Sequence, residues 1–189
     1  MSLKSVSKTG KGDEYYTPKY VVEILLPYLK KKENIKTIWC PCDREESEFV
    51  KVLFKAGYNV IYSHIDYGQD FLTFEPLEEY DAIITNPPFS IKNDIIKRCI
   101  ELDKPFALLL SATCIQSKSL INILSRAKKF EFLMLDRRIS YNGDRPPFPS
   151  WYFTSQILDK SEFYIYKEDP KKLYKDWQES LINGKEKSV

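Results

Sequence analysis

Short apolar runs that alternate with segments of helical periodicity constrain the fold of this chain more than any other feature. The runs occupy residues 35–40, 58–65, 80–85, 105–111 and 130–135. A strand that is apolar at successive positions is buried on both faces, as in a parallel sheet covered by helices. The segments between the runs carry apolar residues three and four positions apart, which is typical of helices packed on such a sheet. We therefore predict an α/β fold with a central, mostly parallel sheet and helices on both faces.

The ends of the helices and the C-terminal part of the sheet can also be predicted. Helices are expected at residues 18–32, 45–56, 93–102, 119–127 and 170–181. Thr17 is suited to cap the first helix, with Pro18 as its first residue, and Gly57 is suited to end the second. After the fifth run the chain becomes polar, which predicts a loop. Residues 150–157 and 162–166 are then predicted to form a C-terminal antiparallel hairpin.

Composition excludes several classes of protein. The 189 residues carry a net charge of +2 and contain no run of the roughly 20 apolar residues that a membrane-spanning helix needs. The N-terminal residues are polar and rich in lysine, so they are not a secretory signal. Four cysteines are too few for a disulfide framework, and the spacing of Cys40 and Cys42 is too short for a usual zinc site. We expect a cytoplasmic protein without a metal, with a flexible arm (residues 1–12), one domain (13–183) and a frayed tail (184–189).

The tetrapeptide Asn86-Pro87-Pro88-Phe89 directly follows the third apolar run and is the most informative motif in the chain. Ligands of doubly wound sheets bind outside the carboxyl ends of the strands, which is where this motif is expected to lie. Two successive prolines fix the backbone and remove two donors, so the asparagine side chain and the proline carbonyls are held rigidly as acceptors. Such a group suits the capture of an exocyclic amine, with the phenylalanine ring stacked on a flat ligand. A proline-rich turn that only opens the next helix is the alternative.

With this motif the chain resembles the S-adenosylmethionine-dependent methyltransferases that act on amines, specifically the DNA adenine-N6 methyltransferases of phage and restriction-associated type. Tyr15-Tyr16-Thr17-Pro18 is similar to the family's segment that leads into the first helix beside the cofactor. Gly68-Gln69-Asp70-Phe71 is similar to the family's contact with the cofactor's adenine. The resemblance spans residues 13–155 in the family's motif order. It implies a Rossmann-like class I methyltransferase fold, S-adenosylmethionine as cofactor, and the four residues of the tetrapeptide as the catalytic group.

The resemblance also implies a set of cofactor-binding residues. These are Tyr16, Thr17, Pro18, Cys40, Pro41, Asp43, His64, Asp66, Asp70 and Phe71. The turn after the first run lacks the glycine that is usual in the family, although some related enzymes are similar in having Cys-Pro-x-Asp there. Asp43 can accept from the cofactor's ammonium group, cap the next helix, or do both. Either His64 or Asp66 stands where an acid usually binds the ribose, and simple packing is the other interpretation of His64.

The implied reaction is methyl transfer to the N6 amine of adenine in DNA. Asn86 and the Pro87 carbonyl accept the two amine hydrogens and aim the nitrogen at the methyl group, while Phe89 stacks on the base. The base must leave the duplex to reach the site. Basic and aromatic residues are interleaved after the fifth run, and a loop at residues 140–149 is expected to close over the target base. We expect nucleic-acid contacts at Arg137, Arg138, Tyr141 and Arg145.

Other hypotheses stay open at this point. An adenine in RNA or a glutamine amide in a protein can be the substrate, although the family's glutamine enzymes more typically carry tyrosine where Phe89 stands. The absence of glycine after the first run allows a third hypothesis, a non-catalytic nucleic-acid-binding protein. One domain leaves little room for a recognition module. Specificity is therefore expected from the loop at 140–149, the N-terminal arm, a separate partner or a homodimer.

Overall fold

The computed structural model describes residues 16–141 and 148–186. Strands in these residues form one sheet: β1 (Thr37–Pro41), β2 (Asn59–Ser63), β3 (Ala82–Thr85), β4 (Phe106–Ser111), β5 (Glu131–Leu135), β6 (Ser150–Ser155) and β7 (Glu162–Tyr164). The order across the sheet is β2-β1-β3-β4-β6-β5-β7. Among these strands only β6 is antiparallel to its neighbours. The prediction of an α/β fold with a mostly parallel sheet is confirmed.

The helices differ from the prediction mainly at their ends. They are α1 (Lys19–Glu23), α2 (Leu26–Leu29), α3 (Glu48–Lys55), α4 (Lys92–Glu101), α5 (Lys118–Leu124) and α6 (Pro170–Glu186). The predicted first helix is divided into α1 and α2, because Pro27 offers no backbone N–H to continue the α1 hydrogen bonds. Ser47 accepts from Phe49 N at 3.2 Å, so α3 begins later than predicted. No helix in the described part of the chain is long and apolar enough to span a bilayer.

Side chains of the central strands alternate between two hydrophobic clusters, one on each face of the sheet. In β1, Ile38 and Cys40 pack with residues of α1, α2 and α3, whereas Trp39 packs with residues of α4 and α5. All three side chains are fully buried. Burial on both faces requires apolar residues at successive positions, which is why these strands could be recognised in the sequence.

The predicted C-terminal antiparallel hairpin is wrong. β6 lies between β4 and β5, and β7 pairs in parallel with the far side of β5. The connection from β6 to β7 therefore passes the start of β5, where Lys129 Nζ donates to the carbonyls of Leu158 at 2.7 Å and Asp159 at 2.9 Å. Turn-forming residues show that the chain changes direction, but they do not identify the strand that each segment will pair with.

The strand order reverses at β1. The chain first adds β2 on one side of β1 and then places β3 on the other side. The segments that follow β1 and β3 therefore separate at the carboxyl ends of two neighbouring strands. In doubly wound sheets this is the usual position of a ligand.

Candidate active site

A cavity of about 520 Å³ is lined by the segments that follow β1, β2 and β3, where the strand order reverses. This volume is within the range of small-molecule sites, roughly 300–1,000 Å³. The cavity wall includes many residues that the sequence analysis singled out. These are Tyr16, Thr17, Asp43, His64, Asp70, Phe71, Asn86 and Pro88. The fold thus brings together motifs that are far apart along the chain.

The tetrapeptide after β3 connects the cavity to two other parts of the chain. Asn86 Nδ2 donates to Thr17 Oγ1 at 3.1 Å, which orients the amide. Asn86 and Pro88 line the cavity, whereas Pro87 is buried outside its wall. The half-buried Phe89 ring meets the Phe148 ring edge to face, with 5.5 Å between centroids. Phe148 is therefore next to the motif, at the described end of the loop that was predicted to close over a base.

Asp43 is a buried carboxylate in the turn after β1, with 7% of its surface exposed. Ser47 Oγ donates to Oδ1, and Thr85 Oγ1 donates to Oδ2 at 2.7 Å. Burial raises the pKa of Asp43 to about 7, although the two hydroxyl hydrogen bonds oppose this shift. Ser47 rather than Asp43 caps α3. A buried carboxylate at a cavity wall is therefore present, and a cationic ligand group beside it would favour its charged form.

The turn after β1 adopts its shape without a glycine. Cys42 has a φ of 65°, in the left-handed region where glycine is favoured. Asp43 N then donates to Ser63 O at 3.1 Å, which joins the turn to the end of β2. Cys42 lines the cavity, and burial raises the pKa of its thiol, which keeps it in the unreactive neutral form. The missing glycine thus does not prevent the backbone from turning at the cavity.

His64 and Asp66 occupy different positions after β2. His64 is buried and lines the cavity, and its Nδ1 accepts from Asp66 N at 3.1 Å. Asp66 is exposed outside the cavity wall and forms a salt bridge with Arg44. The Arg44 hydrogen bond holds the pKa of Asp66 below its usual range. Of the two candidates for a ribose contact, His64 is the one that faces the cavity.

Asp70 and Phe71 supply a polar group and an aromatic surface to the cavity. Asp70 Oδ1 accepts from Leu72 N at 3.0 Å, which holds the carboxylate in a local turn. Phe71 is buried and packs edge-on against Trp39, with 5.0 Å between ring centroids. Ile95 belongs to the same hydrophobic cluster and also lines the cavity. The apolar wall suits a flat ring, and the carboxylate suits hydroxyl groups on a neighbouring part of the same ligand.

Other predicted cofactor residues lie outside the cavity wall. The Cys40 side chain is fully buried in β1. Pro41 is buried, and its carbonyl is a second acceptor within hydrogen-bonding distance of the Thr85 hydroxyl. Pro18 is buried immediately before α1. These three residues shape the segments that hold the cavity residues, and the structure does not bring their side chains to the cavity.

The predicted nucleic-acid residues do not form one exposed group. Arg138 is exposed, whereas Arg137 pairs with Asp136 at 3.3 Å and donates to the Tyr166 carbonyl. The predicted surface contact at Tyr141 is wrong, because Tyr141 is 2% exposed and belongs to the core. Its neighbour Ser140 is held against α1 by a hydrogen bond from Ser140 N to Tyr20 Oη at 2.9 Å, so the chain enters the core at this point. Arg145 lies outside the described residues.

Several cavity residues were missed by the sequence analysis. One group follows β1 and continues into α3: Cys42, Arg44, Glu46, Ser47, Glu48 and Lys51. A second group follows β2 or β3: Ile65, Gln69, Ile91 and Ile95. A third lies on α6: Tyr174, Trp177, Gln178 and Leu181. The amphipathic pattern of α6 was visible in the sequence, but a pattern does not show which surface the helix will cover.

Comparison with known proteins gives the chain's fold. No protein-family model matches it. The chain is 23% identical to the type II methyltransferase M.EcoRI of Escherichia coli, in a match that covers 71% of this chain and 56% of that protein. It thus spans about half the length of this curated relative.

Solved structures are similar across most of the chain. One of them is a structure from Listeria monocytogenes that is assigned to the class I S-adenosylmethionine-dependent methyltransferases. Its TM-score is 0.51 at 9% identity, and the match covers 87% of this chain and 68% of that one. Another, assigned as an RNA methyltransferase, is from Pyrococcus horikoshii; its TM-score is 0.46 at 14% identity, covering 78% of this chain and 87% of that one. The sheet and the Listeria structure together show that the chain has the Rossmann-like fold of class I S-adenosylmethionine-dependent methyltransferases.

Proposed function

We propose that the chain transfers a methyl group from S-adenosylmethionine to the exocyclic N6 amine of adenine in DNA. One observation carries this proposal: Asn86 and Pro88 of the amine-capturing motif line the same cavity as Thr17, Asp43 and Phe71. The class I methyltransferases whose fold the chain shares imply S-adenosylmethionine as its cofactor. The relative from Escherichia coli is itself a type II methyltransferase. These likenesses support methyl transfer, and the motif supports adenine as the acceptor.

The residues around the cavity fit the parts of S-adenosylmethionine. Phe71 and Ile95 offer an apolar wall for the purine, and His64 and Asp70 offer polar atoms to the ribose hydroxyls. Asp43 is buried with a pKa raised by burial to about 7, so an ammonium group beside it would stabilise its charged form. When bound, the cofactor supplies an electrophilic methyl group on a sulfonium centre. The chain's own residues bind it, orient it and shield it from water.

Asn86 is placed to capture the target amine. Its Nδ2 donates to Thr17, which fixes the amide with Oδ1 as the acceptor for one amine hydrogen. The Pro87 carbonyl accepts the second hydrogen in this proposal. Two acceptors on one amine draw its lone pair out of the ring and set the direction of the nitrogen. Phe89, with Phe148 against its ring, offers an aromatic surface on which the base stacks.

An adenine within a duplex cannot reach this cavity, so the target base must be extruded. Exposed Arg138 and, in the loop at 140–149, Arg145 are proposed to contact the DNA backbone. The loop closes over the base, and the single methyltransferase domain comprises residues 13–183. Recognition of a sequence then depends on this loop, on the N-terminal arm, or on a separate partner or second copy. A cytoplasmic phage or restriction system is the setting we propose.

Asn86→Ala is expected to abolish methyl transfer and to retain cofactor binding. Alanine leaves the backbone at the end of β3 unchanged and removes a side-chain acceptor that orients the amine. The protein would be given S-adenosylmethionine with a labelled methyl group and DNA from cells that lack adenine methylation. The DNA would then be digested and analysed as nucleosides. Asn122→Ala is the matched control, because Asn122 is exposed on α5 outside the cavity wall.

The expected result is label in N6-methyldeoxyadenosine, reduced by about 100-fold or more in Asn86→Ala and unchanged in Asn122→Ala. Label in RNA or in protein glutamine, and not in DNA, would replace the proposed substrate by one of the alternatives. Unchanged turnover of Asn86→Ala would refute the role of Asn86. An absence of S-adenosylmethionine binding in calorimetry at millimolar ligand would refute the enzyme hypothesis and favour a nucleic-acid-binding protein.

A further inference from the structure

Helix α6 forms one wall of the cavity, although none of the sequence motifs lies on it. The wall consists of Tyr174, Trp177, Gln178 and Leu181. Tyr174 and Leu181 lie three or four residues from the adjacent pair Trp177 and Gln178, so the four positions form one face of the helix. Residues on other faces of α6, such as Lys175 and Asp176, are exposed. The helix therefore presents a single contact face to the space that the proposed cofactor would occupy.

Trp177 has a hydrogen-bonding group that the described part of the chain does not satisfy. Its indole Nε1 is buried and finds no acceptor among the residues that the structure describes. The ring is held in place by Tyr174, which meets it edge to face with 5.5 Å between centroids. A buried donor without an acceptor is unfavourable, so such groups usually have a partner in the functional state. A ligand in the adjoining cavity can supply that partner.

The elements around α6 indicate which end of the proposed cofactor it would face. α6 packs against α1, and α1 packs against α3. The cavity residues next to these helices are Tyr16 and Thr17 before α1, and Ser47, Glu48 and Lys51 at the start of α3. Ser47 also bonds Asp43, the residue assigned to the ammonium group. The α6 wall is thus at the amino-acid end of the cofactor, whereas His64, Asp70 and Phe71 lie at the nucleoside end.

The cofactor's carboxylate needs donors at this end of the cavity. The two cations in the described cavity wall already have anionic partners, because Arg44 pairs with Asp66 and Lys51 pairs with Glu48 at 3.5 Å. An indole N–H is a neutral donor that suits a carboxylate acceptor. We propose that Trp177 on α6 binds the amino-acid part of S-adenosylmethionine, with its indole N–H donating to the carboxylate. This inference rests on the proposed function, because it assigns a part of the same cofactor site.

Calorimetry with three variants and two ligands tests this assignment. Trp177→Phe keeps an aromatic ring and removes the N–H, whereas Trp177→Ala removes both. Lys175→Ala is the control on an exposed face of the same helix. S-adenosylhomocysteine contains both the nucleoside and the amino-acid part, whereas 5′-methylthioadenosine lacks the amino-acid part. Circular dichroism melting would show that each variant is folded before binding is measured.

For S-adenosylhomocysteine we expect the Kd to rise about 3- to 10-fold in Trp177→Phe, the usual effect of one hydrogen bond. The rise should be about 10- to 100-fold in Trp177→Ala, where the ring contact is also lost. The Kd of 5′-methylthioadenosine should stay the same in all variants, and Lys175→Ala should bind both ligands as the wild type does. If Trp177→Ala does not fold, the Trp177→Phe comparison alone decides.

Each contrary result has a separate meaning. Equal affinity of wild type and Trp177→Phe for S-adenosylhomocysteine would overturn the hydrogen bond, and equal affinity in Trp177→Ala would overturn the α6 site. An equal loss for both ligands would overturn the assignment to the amino-acid end. If the wild type binds neither S-adenosylmethionine nor S-adenosylhomocysteine, the proposed function itself fails.

Discussion

At the scale of single residues, the site depends on a carboxylate held in an unfavourable environment. Asp43 is buried, and its partners Ser47 and Thr85 are hydroxyls rather than cations. Burial raises its pKa to about 7, so near neutral pH the proton and a cationic ligand compete for the same group. The residue therefore reduces the stability of the free protein when it is ionised, and this effect reverses when a cation is beside it.

Asp43→Asn is expected to gain stability relative to the wild type as the pH rises. The pKa of Asp43 is about 4 in the unfolded chain and about 7 in the folded one. The stabilisation from a protonated Asp43 is therefore complete below about pH 4 and is lost as the pH rises to about 7. The difference in unfolding free energy, variant minus wild type, should grow by on the order of 4 kcal/mol between pH 4 and pH 8.

Urea unfolding at several pH values measures this difference. Asp94→Asn is the control, because Asp94 is exposed on α4. In the control the difference from wild type should not change with pH by a comparable amount. A difference between Asp43→Asn and wild type that is constant from pH 4 to pH 8 would show that Asp43 keeps an ordinary pKa in the folded protein.

Residues that carry a short-range motif could be predicted, and residues whose role depends on tertiary packing could not. Asn86 and Thr17 belong to recognisable motifs, and the structure places them 3.1 Å apart. In the sequence, Tyr141 stands near basic residues, as a surface aromatic residue that binds nucleic acid would, yet its side chain packs into the core. Trp177 shows the reverse case, since nothing near it in the sequence connects it to a cavity built around β1 and β3.

At the scale of secondary structure elements, a specific contact at the edge of the core accompanies the insertion of β6 between β4 and β5. Glu131 is the first residue of β5 and is 1% exposed. Its carboxylate accepts from Thr154 Oγ1 at 2.8 Å and from Gln156 N at 3.3 Å, and it lies 3.4 Å from Lys129 Nζ. One buried side chain therefore ties the start of β5 to the end of β6.

Glu131→Ala is expected to destabilise the protein by about 2–4 kcal/mol, because it leaves buried donors without their acceptor. Denaturant unfolding measures the loss. Glu101→Ala is the control, since Glu101 forms an exposed pair with Lys97 at 3.7 Å and should change stability by less than about 1 kcal/mol. Cofactor affinity of folded Glu131→Ala should equal that of the wild type, because the cavity is at the other end of the sheet. A loss below 1 kcal/mol would mean that backbone pairing alone holds β6 in place.

The elements themselves could largely be predicted, but their neighbours in the sheet could not. Strands β1, β3 and β4 are buried on both faces and were visible as apolar runs. β2 and β5 were visible in the same way, although β2 is partly exposed and β5 alternates between buried and half-buried residues. The two strands after them were also recognised, but β7 pairs with β5 rather than with β6. That pairing depends on which strand edges remain open once the parallel sheet has formed, and this information is spread over the whole chain.

At the scale of the whole molecule, the cavity is assembled from segments far apart in the sequence. Its wall includes Tyr16 before α1, Asn86 after β3 and Leu181 in α6. The residues between them form the sheet and both hydrophobic clusters, so the cavity exists only when the described domain is folded as one unit. A ligand that fills it should therefore stabilise the entire domain and not a local segment.

S-adenosylmethionine is expected to raise the melting temperature of the protein. At a free concentration 100 times the Kd, binding to the folded state alone adds about 2.7 kcal/mol. For a chain of this length that corresponds to a rise of about 5–10 °C in differential scanning calorimetry. Asn86→Ala should show the same rise, because the proposed function assigns Asn86 to the target amine and the cofactor to other residues. The expected result is a single unfolding transition that shifts to higher temperature as a whole. If the transition divides and only one part shifts, the cavity spans units that fold independently. If the melting temperature does not rise at millimolar ligand, the cavity does not bind S-adenosylmethionine.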